Sequence, residues 1–110
     1  MELPINQIIQ GDCLEVMKDW PDKCIDLVMT SPPYNLGNFS KGSFYGGKGK
    51  GLKLQYDNHS DCMPPQQYQD WQHKVIAECF RLLNDKGAMF YNHKPRILEG
   101  VWDDRKNLIP

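Results

Sequence analysis

Four consecutive residues, Ser31-Pro32-Pro33-Tyr34, have the types and order to do chemistry. Two prolines in a row fix their φ angles and carry no N–H, so they offer no competing donor. The Ser31 hydroxyl and the Pro32 carbonyl can then form a rigid pair of acceptors. Such a pair suits the planar amino group of a nucleobase, which has two N–H donors and a lone pair delocalised into the ring. Accepting both hydrogens in fixed positions favours a more pyramidal nitrogen whose lone pair is free to attack. That is positioning and electrostatic preorganisation, because a serine hydroxyl is a weak base at neutral pH. Tyr34 adds an aromatic face on which an extruded base can stack, a contact of about 1–3 kcal/mol. A bare tetrapeptide of this kind also reads as a strand ending in a proline turn with a solvent-facing tyrosine. What precedes and follows it here favours the chemical reading.

The element before the motif is Cys24-Ile25-Asp26-Leu27-Val28-Met29-Thr30, nearly unbroken in apolar character, as for a strand covered on both faces of a parallel sheet. Pro32-Pro33 must end it. Upstream, Gln7-Ile8-Ile9-Gln10 is a short strand candidate that stops at Gly11. Asp12-x-x-Glu15 then reads as a capping box, followed by Leu14, Met17 and Trp20 at helical spacing and a stop at Pro21. Downstream, Pro64-Pro65 sets a helix start. Tyr68, Trp71, Val75, Ile76, Cys79, Phe80 and Leu83 make one apolar stripe, which predicts a helix over 65–84. Asn84-Asp85-Lys86-Gly87 is a stop and turn, and Ala88–Asn92 a third strand. Arg96–Leu98 gives a weak signal for a further helix start. The order strand, helix, strand, loop, helix, strand implies two parallel crossovers. Ligands of such sheets bind beyond the carboxyl ends of the strands. Gly11-Asp12, Ser31–Asn35 and Asn92-His93-Lys94 fall at those ends, so three polar clusters are expected on one rim.

Between the motif and the long helix the chain has no periodicity and six glycines from Asn35 to Asn58. Between Leu36 and Tyr56 lie four lysines (Lys41, Lys48, Lys50, Lys53) and no acid, on a chain whose net charge is −1. Phosphate attraction is screened within about 8–10 Å, so a local basic stretch counts for more than net charge. A solvated loop kept soluble by lysine explains the same residues, and the sequence leaves both readings open. The stretch Gly42 to Gly49 nearly spells a phosphate-binding loop. It has Gly49 where Ser or Thr should bind magnesium, and it lacks the preceding strand and following helix, which excludes that class.

Composition bounds the rest. A chain of 110 residues, 40% apolar with three tryptophans, is one globular domain at most. No apolar run approaches the roughly 20 residues that span a bilayer. The start Met1-Glu2-Leu3-Pro4 lacks the regions of a signal peptide, and a cytoplasmic protein is expected. Cys13, Cys24, Cys62 and Cys79 stand at irregular spacings, and His59, His73 and His93 complete no zinc pattern, so reduced thiols and no metal are expected. His93-Lys94 reads as an ordinary surface pair, and Trp20 and Trp71 as core.

Residues 7–35, from Gln-Ile-Ile-Gln-Gly-Asp-Cys-Leu-Glu-Val-Met through Ile-Asp-Leu-Val-Met-Thr-Ser-Pro-Pro-Tyr-Asn, resemble the opening of the N4-cytosine/N6-adenine DNA methyltransferases. The likeness is to the permuted group, in which the catalytic motif precedes the cofactor loop. It runs on through the amphipathic helix and Lys86-Gly87-Ala88-Met89-Phe90-Tyr91. The resemblance implies an α/β fold, a partial Rossmann-like S-adenosylmethionine-dependent methyltransferase fold with a parallel sheet and flanking helices. It implies that Ser31, Pro32, Pro33 and Tyr34 hold the target base and that S-adenosylmethionine gives the methyl group. It also implies that Asp12, with Cys13, lies near the adenine of that donor, although the capping box alone explains an aspartate there. DNA is the implied partner. Asn35, Lys41, Phe44, Tyr45, Lys48 and Lys50 are the expected contacts, the last five in a mobile basic loop over 34–60. Serine at the first motif position leans toward N4 of cytosine, where aspartate is commoner for N6 of adenine; Asn35 after the motif weakens the lean.

The family's Phe-x-Gly-x-Gly loop, which cradles the methionine end of the donor, does not occur in these 110 residues. The chain therefore reads as the N-terminal, target-base part of such an enzyme, truncated before the cofactor loop. The competing expectation is a non-catalytic remnant that binds DNA or donor weakly. Half a parallel sheet leaves an open edge and an uncovered apolar face, so self-association or a complementing chain is expected.

Overall fold

The computed structural model of the chain describes residues 2–35, 63–98 and 100–110. Its centre is a two-stranded parallel sheet of β1 (Ile25–Thr30) and β2 (Leu83–Tyr91), joined by a crossover that includes the long helix α2 (Pro65–Leu82). A short helix, α1 (Cys13–Met17), precedes β1, and a separate antiparallel pair, β3 (Arg96–Leu98) with β4 (Val101–Asp103), follows β2. A 3-10 turn, Lys106–Leu108, comes last. The parallel α/β arrangement expected from the sequence is present in β1, α2 and β2.

α2 begins at Pro65, where a missing N–H costs nothing because the first-turn donors have no helical partner. Its buried residues are Tyr68, Gln72, Val75, Cys79 and Leu82, an alternating four-and-three spacing that keeps one stripe inward. The expected stripe is corrected at two places. Phe80 is 77% exposed, and the inward row passes through Gln72. A polar side chain hid this row from a pattern built on apolar residues alone. Leu83, in extended conformation, caps the helix with its N–H on the Cys79 carbonyl and starts β2 without a connecting loop.

The turn expected at Asn84–Gly87 exists as an irregularity inside β2. Ile25 pairs with Leu83 and Leu27 with Ala88, so β2 spends five residues where β1 spends two. Asn84 Oδ1 accepts the Lys86 N–H at 2.9 Å, which closes the bend. Gly87 is needed there: a Cβ would stand 2.9 Å from Leu83 Cδ2 and 3.0 Å from the Asp26 carbonyl oxygen.

Two sequence expectations fail. Gln7–Gln10 forms no strand; Ile8 is fully exposed and Asn6 turns the chain at φ 59°. Four residues with two apolar side chains gain little from pairing with so small a sheet. Residues 96–98 form β3, where a helix start was expected. Gly100 at φ 80° turns the chain back into β4, and Ile97 pairs with Trp102.

Arg81 fastens the α1 end of the molecule to α2. It donates to the Met17 carbonyl (3.0 Å), the Trp20 carbonyl (2.7 Å), Asp22 (2.8 Å) and Glu78 (2.8 Å). One face of the sheet, with Thr30 and Tyr91, turns toward α2. The other exposes Leu27 (52%), Met29 (76%) and Phe90 (59%). Trp20 and Trp71 are half-buried. No helix among the described residues is long and apolar enough to cross a membrane.

Candidate active site

At the carboxyl ends of β1 and β2 an open groove of about 620 Å³ is lined by Met29, Thr30, Ser31, Met89, Phe90, Tyr91 and Asn92. The strands continue in parallel up to this point, where the Asn92 N–H donates to the Thr30 carbonyl at 2.9 Å. Pro32 and Pro33 then end β1. The turn brings Tyr34 back over Ser31, with the two hydroxyl oxygens 2.6 Å apart. Asn92 Nδ2 donates to both, at 3.3 Å to Ser31 Oγ and 3.0 Å to Tyr34 Oη. Two of the three polar clusters expected on the rim therefore meet. Ser31 is exposed, Pro32 buried, and Pro33 and Tyr34 half-buried.

Beneath the turn lies a cluster that the sequence reading placed in the core or on an ordinary surface. The imidazole of His93 sits among three tyrosines, with ring centroids 4.9 Å from Tyr34, 6.0 Å from Tyr68 and 5.8 Å from Tyr91. The Tyr68 hydroxyl donates its one hydrogen to the Pro33 carbonyl. It must then accept at its 2.6 Å contact with His93 Nε2, so the imidazole proton is on Nε2. Nδ1 lies 2.8 Å from the Lys94 nitrogen and 3.0 Å from the Lys94 carbonyl oxygen. Gln72, wholly buried, donates to Tyr68 Oη at 3.4 Å and accepts the Tyr91 hydroxyl. Arg105, 4% exposed and at φ 66°, donates to the Tyr34 carbonyl at 2.9 Å and lies 5.2 Å over the Tyr68 ring. A polar residue four positions from Tyr68 on one helix face was the signal available in the sequence. Arg105 gave none.

Of the remaining expected residues, Asn35 and Asp12 are described, each with partners of its own. Asn35, 6% exposed at φ 60°, turns its amide on Met63, donating to the carbonyl at 2.8 Å and accepting the N–H at 2.6 Å. It thereby joins the two described ends that flank residues 36–62. Lys41, Phe44, Tyr45, Lys48 and Lys50 lie outside the described residues, as does most of the 34–60 loop. Asp12 caps α1, its Oδ1 accepting the Leu14 N–H at 2.9 Å. No hydrogen bond among the described residues joins it to the Ser31 cluster. With 7–10 unpaired, no strand carries Asp12 to the rim, and α1 leans instead on α2 through Met17 and Arg81.

Burial pushes the Tyr91 hydroxyl up to about 12, against a smaller opposing pull from the Arg105 charge. Desolvation, then the Asp12 charge, pushes the Cys13 thiol up, and desolvation raises Cys79 as well. Both thiols stay protonated at neutral pH and are weak nucleophiles. Cys13, Cys24 and Cys79 are free, and no group of metal-ligating side chains exists among the described residues.

Comparison with known proteins gives a match to a family described as DNA methylase, over residues 25–107. The type II methyltransferase M.BglII of Bacillus subtilis is 32% identical over 87 residues, 79% of this chain and 19% of the relative. M.BamHI of Bacillus amyloliquefaciens is 31% identical over 98 residues, 84% of this chain and 18% of the relative. The DNA adenine methyltransferase YhdJ of Escherichia coli is 31% identical over 83 residues, 76% of this chain and 23% of the relative. The chain thus spans about a fifth of the length of these relatives.

Proposed function

The chain belongs to the N4/N6 DNA methyltransferase family, and from that premise we propose that its Ser31–Tyr34 turn holds the amino group of a flipped DNA base for methylation. The observation that carries the reading is the junction of Ser31, Tyr34 and Asn92 beside a groove at the carboxyl ends of two parallel strands. Ser31 Oγ accepts one N–H of the amino group and the Pro32 carbonyl the other. The arriving group takes the place that the Tyr34 hydroxyl has on Ser31, and the Tyr34 ring supplies the stacking face. No strong base is needed. Once methylated, the nitrogen is a strong acid and sheds its proton to water past the Ser31 hydroxyl. Serine at position 31 favours cytosine N4 over adenine N6, while the relative YhdJ carries adenine in its name.

S-adenosylmethionine, the donor the family implies, supplies an electrophilic methyl group when bound. Asp12 and Cys13 would meet its adenine end. Asp12 spends Oδ1 on the helix cap and has Oδ2 left, at an exposed position, to accept from an adenine amino group, with Cys13 beside it. The Rossmann-like completion of the sheet is part of the same reading. The exposed Leu27, Met29 and Phe90 face would be covered by further helices or by a second chain.

A second reading is a module that binds DNA without transferring methyl groups. One experiment separates the two. The chain is incubated with tritiated S-adenosylmethionine and with oligonucleotides whose only amino-bearing base is cytosine, or only adenine. Label in the cytosine oligonucleotide, lost in Ser31→Ala, supports the first reading. Binding without label supports the second. Neither binding nor label contradicts both.

A further inference from the structure

Pro32 and Pro33 have no N–H, so the backbone of the motif can be anchored from outside chiefly through its carbonyls. Two of the three successive carbonyls are engaged by buried side chains. Pro33 accepts from Tyr68, which is 1% exposed, and Tyr34 accepts from Arg105. No hydrogen bond among the described residues goes to the Pro32 carbonyl. We propose that Tyr68, held by His93 and Gln72, is a positioning residue of the base-binding turn: by occupying the Pro33 carbonyl it leaves the Pro32 carbonyl as the main-chain acceptor for the target amino group. This rests on the function proposed above. A purely apolar role would be met by phenylalanine, whereas the Tyr68 hydroxyl links three elements: α2, the end of β1, and the segment after β2. With its one hydrogen on the Pro33 carbonyl, the hydroxyl accepts from His93 Nε2 and from the Gln72 amide. The Nε2–H of His93 is thus part of the device. The other ring nitrogen rests against the Lys94 backbone.

The test uses the full chain with fluorescein-labelled single-stranded oligodeoxycytidine and oligodeoxyadenosine, read by fluorescence anisotropy. Proton–nitrogen NMR of the imidazoles reports where His93 carries its proton. Tyr68→Phe keeps the ring and removes the hydroxyl. It is expected to weaken oligonucleotide binding about tenfold, the scale of one hydrogen bond to a positioned group. It should also abolish the protected His93 Nε2–H signal while circular dichroism stays native. His93→Gln, which keeps an N–H donor, retains most of the binding, and His93→Phe loses it. Wild-type affinity in Tyr68→Phe, with weakened binding in Ser31→Ala, overturns the positioning role and leaves the function of Ser31 standing. Unchanged binding in Ser31→Ala, or no binding by the wild-type chain, overturns that function and this proposal with it. Should Tyr68→Phe fail to fold, the His93 pair decides: rescue by glutamine upholds the proposal, and equal loss in both variants overturns it.

Discussion

The two ends of α2 solve different problems with different chemistry. At the amino end, Tyr68 and Gln72 are fully buried and reach neutral partners, the Pro33 carbonyl, His93 and the Tyr91 hydroxyl. At the carboxyl end, Arg81 is 28% exposed and gathers Glu78, Asp22 and two backbone carbonyls around one charge. An exposed ion cluster tolerates loose geometry and contributes modestly. A buried neutral network is costly unless every member is satisfied, and when satisfied it fixes positions closely. The first end should govern how the motif is presented, and the second how firmly the chain is held together.

The largest effect should come from the apolar row that α2 buries along its length. Leu82→Ala, at a site 1% exposed, is expected to destabilise the fold by about 2–5 kcal/mol in urea unfolding. Phe80→Ala, two residues away and exposed, should stay within about 0.5 kcal/mol. Equal costs would show that the inward row is misassigned. Next, Gln72→Leu leaves the Tyr91 hydroxyl without its acceptor. It should cost about 1–3 kcal/mol and, unlike Leu82→Ala, weaken oligonucleotide binding per folded molecule.

A smaller effect is expected at the Arg81 end. The Arg81 hydrogen bond holds the Glu78 carboxyl below its usual value near 4.5, despite an opposing desolvation. Its contribution is therefore complete above that value and fades as pH falls through the lowered one. In Arg81→Met the melting temperature should drop modestly at neutral pH, and this acid-dependent part should vanish, with oligonucleotide affinity unchanged. The smallest effect belongs to Tyr91. Its raised value means that stability present below pH 10, the usual tyrosine value, is lost as pH rises toward about 12. Tyr91→Phe should flatten that alkaline limb in thermal melts. A tyrosinate absorbance that rises fully by pH 10 in the wild type would contradict the burial of this hydroxyl.

β1 and α2 were legible in the sequence because each is specified locally, by an apolar run stopped by two prolines and by a helical stripe started by two. The capping role of Asp12 and the bend at Asn84–Gly87 were readable for the same reason. Gln7–Gln10 was misread because a strand exists only with a ladder partner, which no local pattern reports. At Arg96–Leu98 the hairpin signal is Gly100 between β-prone residues, which a short helical pattern masks. The site divides in the same way. Ser31, Pro32, Pro33 and Tyr34 are contiguous and declare themselves. Their supports, Tyr68, Gln72, His93 and Arg105, come from positions 34 to 71 residues beyond Tyr34, and Tyr68 reads as core in any apolar stripe.

The most direct measurement of the central claim is NMR of an oligonucleotide whose target-base amino nitrogen carries nitrogen-15, free and bound to the chain. Gripping by Ser31 and the Pro32 carbonyl predicts two resolved, downfield-shifted, slowly exchanging amino protons in the complex, reverting toward the free values with Ser31→Ala. Amino signals of the bound oligonucleotide that match the free one, with wild type and Ser31→Ala alike, would contradict it.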